Sequence, residues 1–211
     1  TIDSNYGSYV NLHSDTLQKD FPVLIFFPSD YEKNKNSKYP VLYLLHGAND
    51  QPLTEEGVRK LYAPHTGVQQ AADAHQLIIV CPLVGNKLYV NSPIHPKDKY
   101  ATLIARELTS FVDKTYRTLP NRENRYVGGF SMGGYGGISL LCRYPETFSV
   151  GMSRGGVMDI ASLIEDLHWD EPFGSEIFGD YWTQQKNYHL NSILNLLNKI
   201  KDRKDIGIVL E

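Results

Sequence analysis

The chain has 211 residues, with 41% hydrophobic and 21% charged side chains and a net charge of -3. This length suits one domain with a substantial core, and the composition is ordinary for a soluble globular protein. The slightly acidic balance gives no electrostatic reason to expect nucleic acid or an anionic membrane as a partner. No apolar run approaches the roughly 20 residues that cross a bilayer, so we expect no membrane span.

The first half of the chain predicts buried strands separated by loops and one helix. Strands are expected over 23–28, 39–47 and 77–81. The continuous apolar run 39–47 is typical of a central strand that is covered on both faces. Residues 48–65 are expected to form a loop, and a helix is predicted over 66–75. The segment 83–96 is rich in Gly, Asn and Pro, and such loops at strand ends commonly carry function.

The second half predicts one long amphipathic helix, two more strands and a further helix. In the helix over 100–116 the residues expected to face the core are Leu103, Ile104, Leu108, Phe111, Val112 and Tyr116. Those expected to face solvent are Arg106, Thr109, Asp113 and Lys114. Strands are predicted over 148–153 and 206–211, and a helix over 190–200. The aromatic segment 159–186 is expected to be irregular, as an insertion or cap over the sheet edge.

The alternation of strands and helices argues for a single three-layer α/β domain over 1–211, built on a mostly parallel sheet. Cys81 and Cys142 both lie in apolar stretches and are interpreted as buried core residues rather than as a disulfide. The compartment therefore stays open between cytoplasmic and secreted.

The stretch Gly129-Phe-Ser-Met-Gly133 matches G-x-S-x-G, with a strand-like segment before it and a helix predicted over 138–143. This strand–turn–helix context is the one in which a serine is held exposed as a nucleophile. In such a sharp turn, side chains two positions before and after the serine would clash. Glycine at positions 129 and 133 removes these clashes. Nucleotide-binding glycine motifs are disfavoured, because Gly134-Tyr135 stands where a phosphate loop needs Lys-Ser/Thr.

Four stretches together resemble the esterase D / tributyrin esterase family of α/β-hydrolases. They are Tyr39-Pro-Val-Leu-Tyr-Leu-Leu-His-Gly47, the segment from Asn91-Ser-Pro93 to Arg117, Gly129-Phe-Ser-Met-Gly-Gly-Tyr-Gly136, and Ile177-Phe-Gly-Asp180. Relatives of this family include S-formylglutathione hydrolases, feruloyl and acetyl-xylan esterases, and the antigen 85 mycolyltransferases. The resemblance extends over nearly the whole chain and implies the three-layer α/β-hydrolase fold.

The resemblance implies that Ser131 is the nucleophile. The backbone N–H groups of Ala48 and Met132 would then form the oxyanion hole. His46 is implied to be a structural residue of the oxyanion loop rather than the base. The substrate pocket is expected under the segments 83–96 and 159–186. Tyr89 and Trp182 are candidate aromatic walls of this pocket, although either side chain could equally well serve only to pack the core.

The base and the acid of a serine triad are not evident. In the family both follow the strand predicted at 206–211, so they are expected beyond Glu211, and the chain is expected to be truncated at its C-terminus. Three residues present could stand in, and each has a more ordinary interpretation. His189 fits a helix start, His168 an aromatic loop, and Asp159 a helix cap.

The sequence thus predicts a serine carboxylic-ester hydrolase that works through an acyl-enzyme on Ser131, without metal or cofactor. Its expected substrates are short-chain acyl, acetyl or feruloyl esters, either small molecules or linked to polysaccharide. One alternative is an acyltransferase of the mycolyltransferase type, in which a sugar hydroxyl replaces water. Another is a non-catalytic binding protein on a hydrolase scaffold. The oligomeric state is left open.

Overall fold

The computed structural model describes residues 7–62, 67–167 and 172–211. Its strands are β1 (Ser8–Ser14), β2 (Lys19–Phe26), β3 (Val41–Leu45), β4 (Ile78–Pro82), β5 (Arg125–Phe130), β6 (Val150–Arg154) and β7 (Gly207–Leu210). They form one sheet in the order β1-β2-β4-β3-β5-β6-β7. The pairs β1–β2 and β2–β4 are antiparallel, and the remaining pairs are parallel. The predicted mostly parallel sheet is confirmed.

Helices cover both faces of this sheet. They are α1 (Glu55–Tyr62), α2 (Val68–His75), α3 (Tyr100–Thr102), α4 (Thr109–Thr115), α5 (Met132–Arg143), α6 (Ile160–Leu167), α7 (Pro172–Phe178), α8 (Tyr181–Asn191) and α9 (Ile193–Leu196). A π-helical segment, Leu103–Leu108, joins α3 to α4. Within the described ranges, no helix combines the length and the apolar character needed to cross a membrane.

The sheet separates two hydrophobic clusters, as a three-layer arrangement requires. The larger cluster packs Tyr43 and other side chains of one face against the helices α3 to α9. On the opposite face, Leu24 and its neighbours pack against α1 and α2. Strand side chains alternate between faces, so Tyr43 enters the first cluster while Leu42 and Leu44 pack against the second.

Strand register brings three strand ends together at one edge of the sheet. Leu45 at the end of β3 is paired with Gly129 on β5, and Gly129 is paired with Ser153 on β6. The loops that follow these parallel strands therefore leave the sheet side by side. In parallel α/β sheets, ligands bind at this carboxyl edge.

Two segments that the sequence predicts to lack regular structure contain helices among their described residues, so these predictions are wrong. Within 48–65, α1 is stabilised by Thr54, whose hydroxyl accepts a hydrogen bond from the N–H of Gly57. Salt bridges of the i,i+4 type add to it, with Arg59 bonded to Glu55. Within 159–186, the described residues form α6, α7 and most of α8 rather than irregular structure.

The long helix over 100–116 is present but does not expose all the residues expected. Thr109 is buried, and its hydroxyl donates to the carbonyl of Ala105. The π-helical segment before it has a wider turn, which shifts the buried face by about one residue. Asp113 is also largely covered, because it forms an ion pair with Arg125 of β5.

Leu140 tests the contribution of α5 to the core. Its side chain is fully buried, whereas Leu194 in α9 is 61% exposed. We expect Leu140→Ala to lower the free energy of unfolding by about 2–5 kcal/mol, because the removed methyl groups leave a cavity. Leu194→Ala is the matched control and should change it by less than about 0.5 kcal/mol. Denaturant unfolding measures both, and equal effects would contradict this packing.

Candidate active site

Ser131 lies at the turn between β5 and α5 in a strained backbone conformation. Its φ is 53° and its ψ is -117°, a region that non-glycine residues rarely occupy. The backbone on both sides holds this conformation: the N–H of Ser131 donates to the carbonyl of Arg154 (2.9 Å), and the N–H of Tyr135 donates to the carbonyl of Ser131 (3.0 Å). Such strain costs about 1–3 kcal/mol and persists where the surroundings enforce it, commonly at functional sites.

Gly129 and Gly133 make the turn sterically possible. A Cβ atom at either position would fall inside van der Waals contact with the carbonyl oxygen of Leu45, which belongs to β3. This oxygen is a backbone atom of a central strand, so it has little freedom to move away. The G-x-S-x-G spacing therefore reflects the close approach of β3 to both sides of the turn.

Two cavities meet at Ser131. The smaller has a volume of about 400 Å³ and is lined by Ala48, Asn49, Asp50, Asn86, Leu88, Ser131, Met132, Tyr135, Val157 and Ile160. The larger, of about 700 Å³, lies over the carboxyl ends of β3, β5, β6 and β7, and Arg154 and Glu211 are part of its lining. Ser131 and Ala48 line both cavities.

The structure brings together the three residues for which the sequence predicts roles in catalysis. Ala48 follows β3, and Met132 is the first residue of α5; both line the smaller cavity with Ser131. Neither N–H donates a hydrogen bond within the described part of the chain. The first N–H groups of a helix have no partner inside it and carry its positive end, so Met132 is suited to stabilise an oxyanion.

His46 is buried beneath the loop after β3 and uses both of its ring nitrogens. The Nε2 atom accepts from the N–H of Val84 (3.2 Å) and the Nδ1 atom lies 2.8 Å from the carbonyl of Gly47. A neutral ring therefore carries its proton on Nδ1 and donates to Gly47. Burial lowers the pKa of His46 to about 4, and the bond to Gly47 opposes this shift. His46 has no free nitrogen to act as a base.

Two asparagines that the sequence analysis did not single out also hold this loop. The Asn49 side chain donates to the carbonyl of Gly47 (3.0 Å), and its N–H donates to the side chain of Asn86 (3.0 Å). Asn86 lies in the loop after β4, 37 residues further along the chain. A Gly- and Asn-rich composition is the only signal for Asn86 in the sequence.

The candidate aromatic walls do not line either cavity around Ser131. Tyr89 is fully buried, and its hydroxyl donates to the carbonyl of His46 (2.9 Å). Positive φ angles at Leu88 and Tyr89 turn this loop so that Leu88 reaches the smaller cavity instead. Trp182 is 69% exposed on α8 and packs against the ring of Tyr181.

A base for Ser131 is not found among the described residues that line the two cavities, where His46 is the only histidine. His168 lies outside the described residues. His189 is exposed in the last turn of α8 rather than at a helix start. The carboxylate of Asp159 accepts from the N–H of Ala161 (3.1 Å) at the beginning of α6, which is the helix-cap role expected for it.

Gly133→Ala tests the turn. We expect it to lower the free energy of unfolding by about 1–3 kcal/mol and to slow acylation of Ser131, because the new Cβ pushes against Leu45. Gly174→Ala is a matched control, since a Cβ there meets only Tyr188 at 3.9 Å. Denaturant unfolding and the rate of labelling by a fluorophosphonate measure the two effects. A Gly133→Ala protein that matches the control would contradict the steric argument.

His46 gives the stability a defined pH dependence. The unfolded imidazole titrates near pH 6.5, so between about pH 6.5 and 4 the unfolded chain binds a proton that the folded chain does not. The free energy of unfolding should therefore fall by about 3 kcal/mol as the pH decreases through this window. In His46→Asn this part of the pH dependence should vanish, whereas His189→Asn, at an exposed histidine, should keep it. Urea unfolding at pH 7 and pH 4 makes the comparison, and identical curves for both variants would refute it.

Comparison with known proteins relates this chain to esterases. The Esterase family model matches residues 14–211. An esterase of Mycobacterium tuberculosis (strain ATCC 25618 / H37Rv) is 29% identical over 155 residues, which cover 70% of this chain and 32% of the relative. An endo-1,4-beta-xylanase/feruloyl esterase of Xylanibacter ruminicola is 25% identical over 162 residues, which cover 73% of this chain and 22% of the relative. The chain thus spans about a third or less of the length of these two curated relatives.

Solved structures show the same fold. FphF, a fluorophosphonate-binding serine hydrolase of Staphylococcus aureus with substrate bound, has a TM-score of 0.76 to this chain at 23% identity. The match covers 97% of this chain and 78% of that protein, and at this identity it supports the fold alone. Together with the sheet order, it confirms the predicted three-layer α/β-hydrolase fold. Because the family model matches nearly the whole chain, the resemblance noted in the sequence is confirmed, and the chain belongs to the Esterase family of α/β-hydrolases.

Proposed function

We propose that the protein is a serine carboxylic-ester hydrolase that forms an acyl-enzyme on Ser131. The observation that carries this proposal is the smaller cavity, which Ser131 shares with Ala48 and Met132. A strained, half-buried serine next to two N–H groups that donate no hydrogen bond within the described residues is the arrangement that acyl transfer requires. Membership of the Esterase family supports the same class of reaction.

In the proposed reaction a general base takes the hydroxyl proton of Ser131 as Oγ attacks the carbonyl carbon of the ester. The carbonyl oxygen becomes an oxyanion that accepts hydrogen bonds from the N–H groups of Ala48 and Met132. Collapse of this intermediate breaks the bond to the alcohol oxygen, and the alcohol leaves with the proton held by the base. Water then attacks the acyl-enzyme by the same route, which releases the carboxylic acid and restores the serine hydroxyl.

We propose that the base and the carboxylate that orients it come from outside the described residues, as the resemblance noted in the sequence implies. The larger cavity supports this proposal, because Ser131 lines it together with Glu211, the residue after β7. A side chain entering there would approach Ser131 from the side opposite α5. The mechanism needs no metal or cofactor.

Esters of short-chain acyl, acetyl or feruloyl groups are the proposed substrates, either small or linked to polysaccharide. The smaller cavity supports them because it combines an apolar wall with polar groups. The apolar wall comprises Leu88, Met132, Tyr135, Val157 and Ile160, and the polar groups are Asn49, Asp50 and Asn86. Ile160 lies in the segment 159–186, which supports the proposal that this segment covers the site. The xylanase/feruloyl esterase relative is consistent with a feruloyl group.

Labelling and turnover of the full-length protein test the proposal. A fluorophosphonate should modify Ser131, as identified by peptide mass, and p-nitrophenyl acetate and methyl ferulate should be hydrolysed. Ser131→Ala should lose labelling at this position and reduce kcat by at least about 10³-fold, since the nucleophile is removed. Ser37→Ala, at an exposed serine before β3, is the matched control and should retain both.

The outcomes also separate the two alternatives. Labelling of Ser131 with acyl transfer to an added sugar faster than hydrolysis would identify an acyltransferase. Absence of labelling and of hydrolysis in a folded full-length protein would refute the proposal and leave a binding role on this scaffold.

A further inference from the structure

The carbonyl oxygen of Gly47 accepts hydrogen bonds from two side chains of its own loop. The Nδ1 atom of His46 lies 2.8 Å from it, and the Nδ2 atom of Asn49 lies 3.0 Å from it. The two nitrogen atoms lie 3.0 Å from each other, so the side chains approach this carbonyl next to one another. Both side chains are thereby committed to one backbone acceptor.

This carbonyl belongs to the same peptide group as the N–H of Ala48. The described residues contain no cis peptide bond, and in a planar trans peptide the C=O and the N–H point in opposite directions. Fixing the Gly47 carbonyl towards His46 and Asn49 therefore fixes the Ala48 N–H in the opposite direction. Ala48 lines both cavities beside Ser131, and its N–H donates no hydrogen bond within the described part of the chain.

Glycine at position 47 explains why such fixation is needed. A Cβ there would lie 3.3 Å from the carbonyl oxygen of Phe130 and 3.5 Å from Cβ of Ser131, so the loop passes close to the nucleophile. Glycine relieves this crowding, but it also leaves the backbone free to adopt many conformations. Without tethers, the Gly47–Ala48 peptide could rotate and turn its carbonyl towards the cavity, where it would repel an oxyanion.

Each donor is held in turn by a further contact. Val84 donates its N–H to Nε2 of His46 (3.2 Å), which keeps the proton of the neutral ring on Nδ1. The side-chain oxygen of Asn49 accepts from the N–H of Gln51 (2.9 Å), and Asn86 accepts from the N–H of Asn49 (3.0 Å). The side-chain amide of Asn49 is thus fixed at its oxygen, which accepts from Gln51, and at its nitrogen, which donates to Gly47.

We propose that Asn49 is a positioning residue that acts together with His46 to hold the Gly47–Ala48 peptide, so that its N–H serves the oxyanion formed at Ser131. The inference rests on the proposed ester hydrolysis and adds a role that acts through the backbone. Neither side chain exchanges a proton with substrate in this role. Their contribution arises in the transition state, where the negative charge develops.

Two substitutions at Asn49 test the proposal. Asn49→Asp keeps an oxygen for the N–H of Gln51 but replaces the donor by a negative charge, and Asn49→Ala removes the donor without adding charge. Both should lower kcat by about 10–100-fold with KM within about twofold, because the lost interaction acts on the transition state. Asn36→Asp and Asn36→Ala, at an exposed asparagine before β3, are the matched controls and should keep the wild-type kcat.

Substitution of His46 provides a second test that does not depend on Asn49. His46→Asn can retain an N–H donor near the position of Nδ1, whereas His46→Leu retains the approximate volume without any donor. The first should therefore keep more of kcat than the second. Rates are expressed per Ser131 that a fluorophosphonate labels at the end of the reaction, so loss of folded protein does not imitate the effect.

The results have distinct meanings. A wild-type protein that hydrolyses esters, with unchanged kcat in both Asn49 variants, would overturn the positioning role and leave the proposed function intact; so would equal kcat in the two His46 variants. A wild-type protein that neither hydrolyses esters nor reacts at Ser131 would overturn the proposed function itself. A higher KM with unchanged kcat in both Asn49 variants would assign Asn49 to substrate binding and would also refute the inference.

Discussion

The close approach of β3 to the turn at Ser131 is the constraint on which the rest of the site depends. The carbonyl oxygen of Leu45 occupies the space that side chains at 129 and 133 would need. This contact follows from the parallel pairing of β3 with β5, in which Leu45 is opposite Gly129. The strained backbone of Ser131 is thus imposed by the sheet rather than by local sequence preference. A rigid central strand is suited to this task because its own hydrogen bonds resist displacement.

The same pairing places the two N–H groups that we propose as the oxyanion hole. Since β3 and β5 end at the same edge, the loop after β3 and the first turn of α5 face each other across Ser131. One N–H comes from each, at Ala48 and at Met132. Neither group carries a formal charge, so the site can remain partly buried without the desolvation cost of an ion. Preoriented dipoles of this kind also need no rearrangement when the oxyanion forms.

Much of this arrangement is readable from the sequence, since its signals are local. The apolar run ending at His46-Gly47 and the glycines around Ser131 define the central strand and the turn. Other features depend on contacts between distant segments. Asn49 and Asn86 form their hydrogen bond only when the loops after β3 and β4 come together. Leu88 rather than Tyr89 lines the cavity because both residues have positive φ angles, which the side-chain pattern of the sequence does not reveal. Helix α1 is not predicted from the sequence because few of its residues are apolar.

A chain of backbone hydrogen bonds connects Ser131 to the last strand of the described sheet. Ser131 donates to Arg154; the next residue, Gly155, donates to Glu211, which in turn donates to Ser153. Opening of β7 would break both bonds of Glu211 and release the backbone of Gly155, which follows the acceptor of the Ser131 N–H, so it would also loosen the turn at Ser131. Native-state hydrogen exchange at the N–H groups of Gly155 and Glu211 therefore reports on the order of the turn at Ser131.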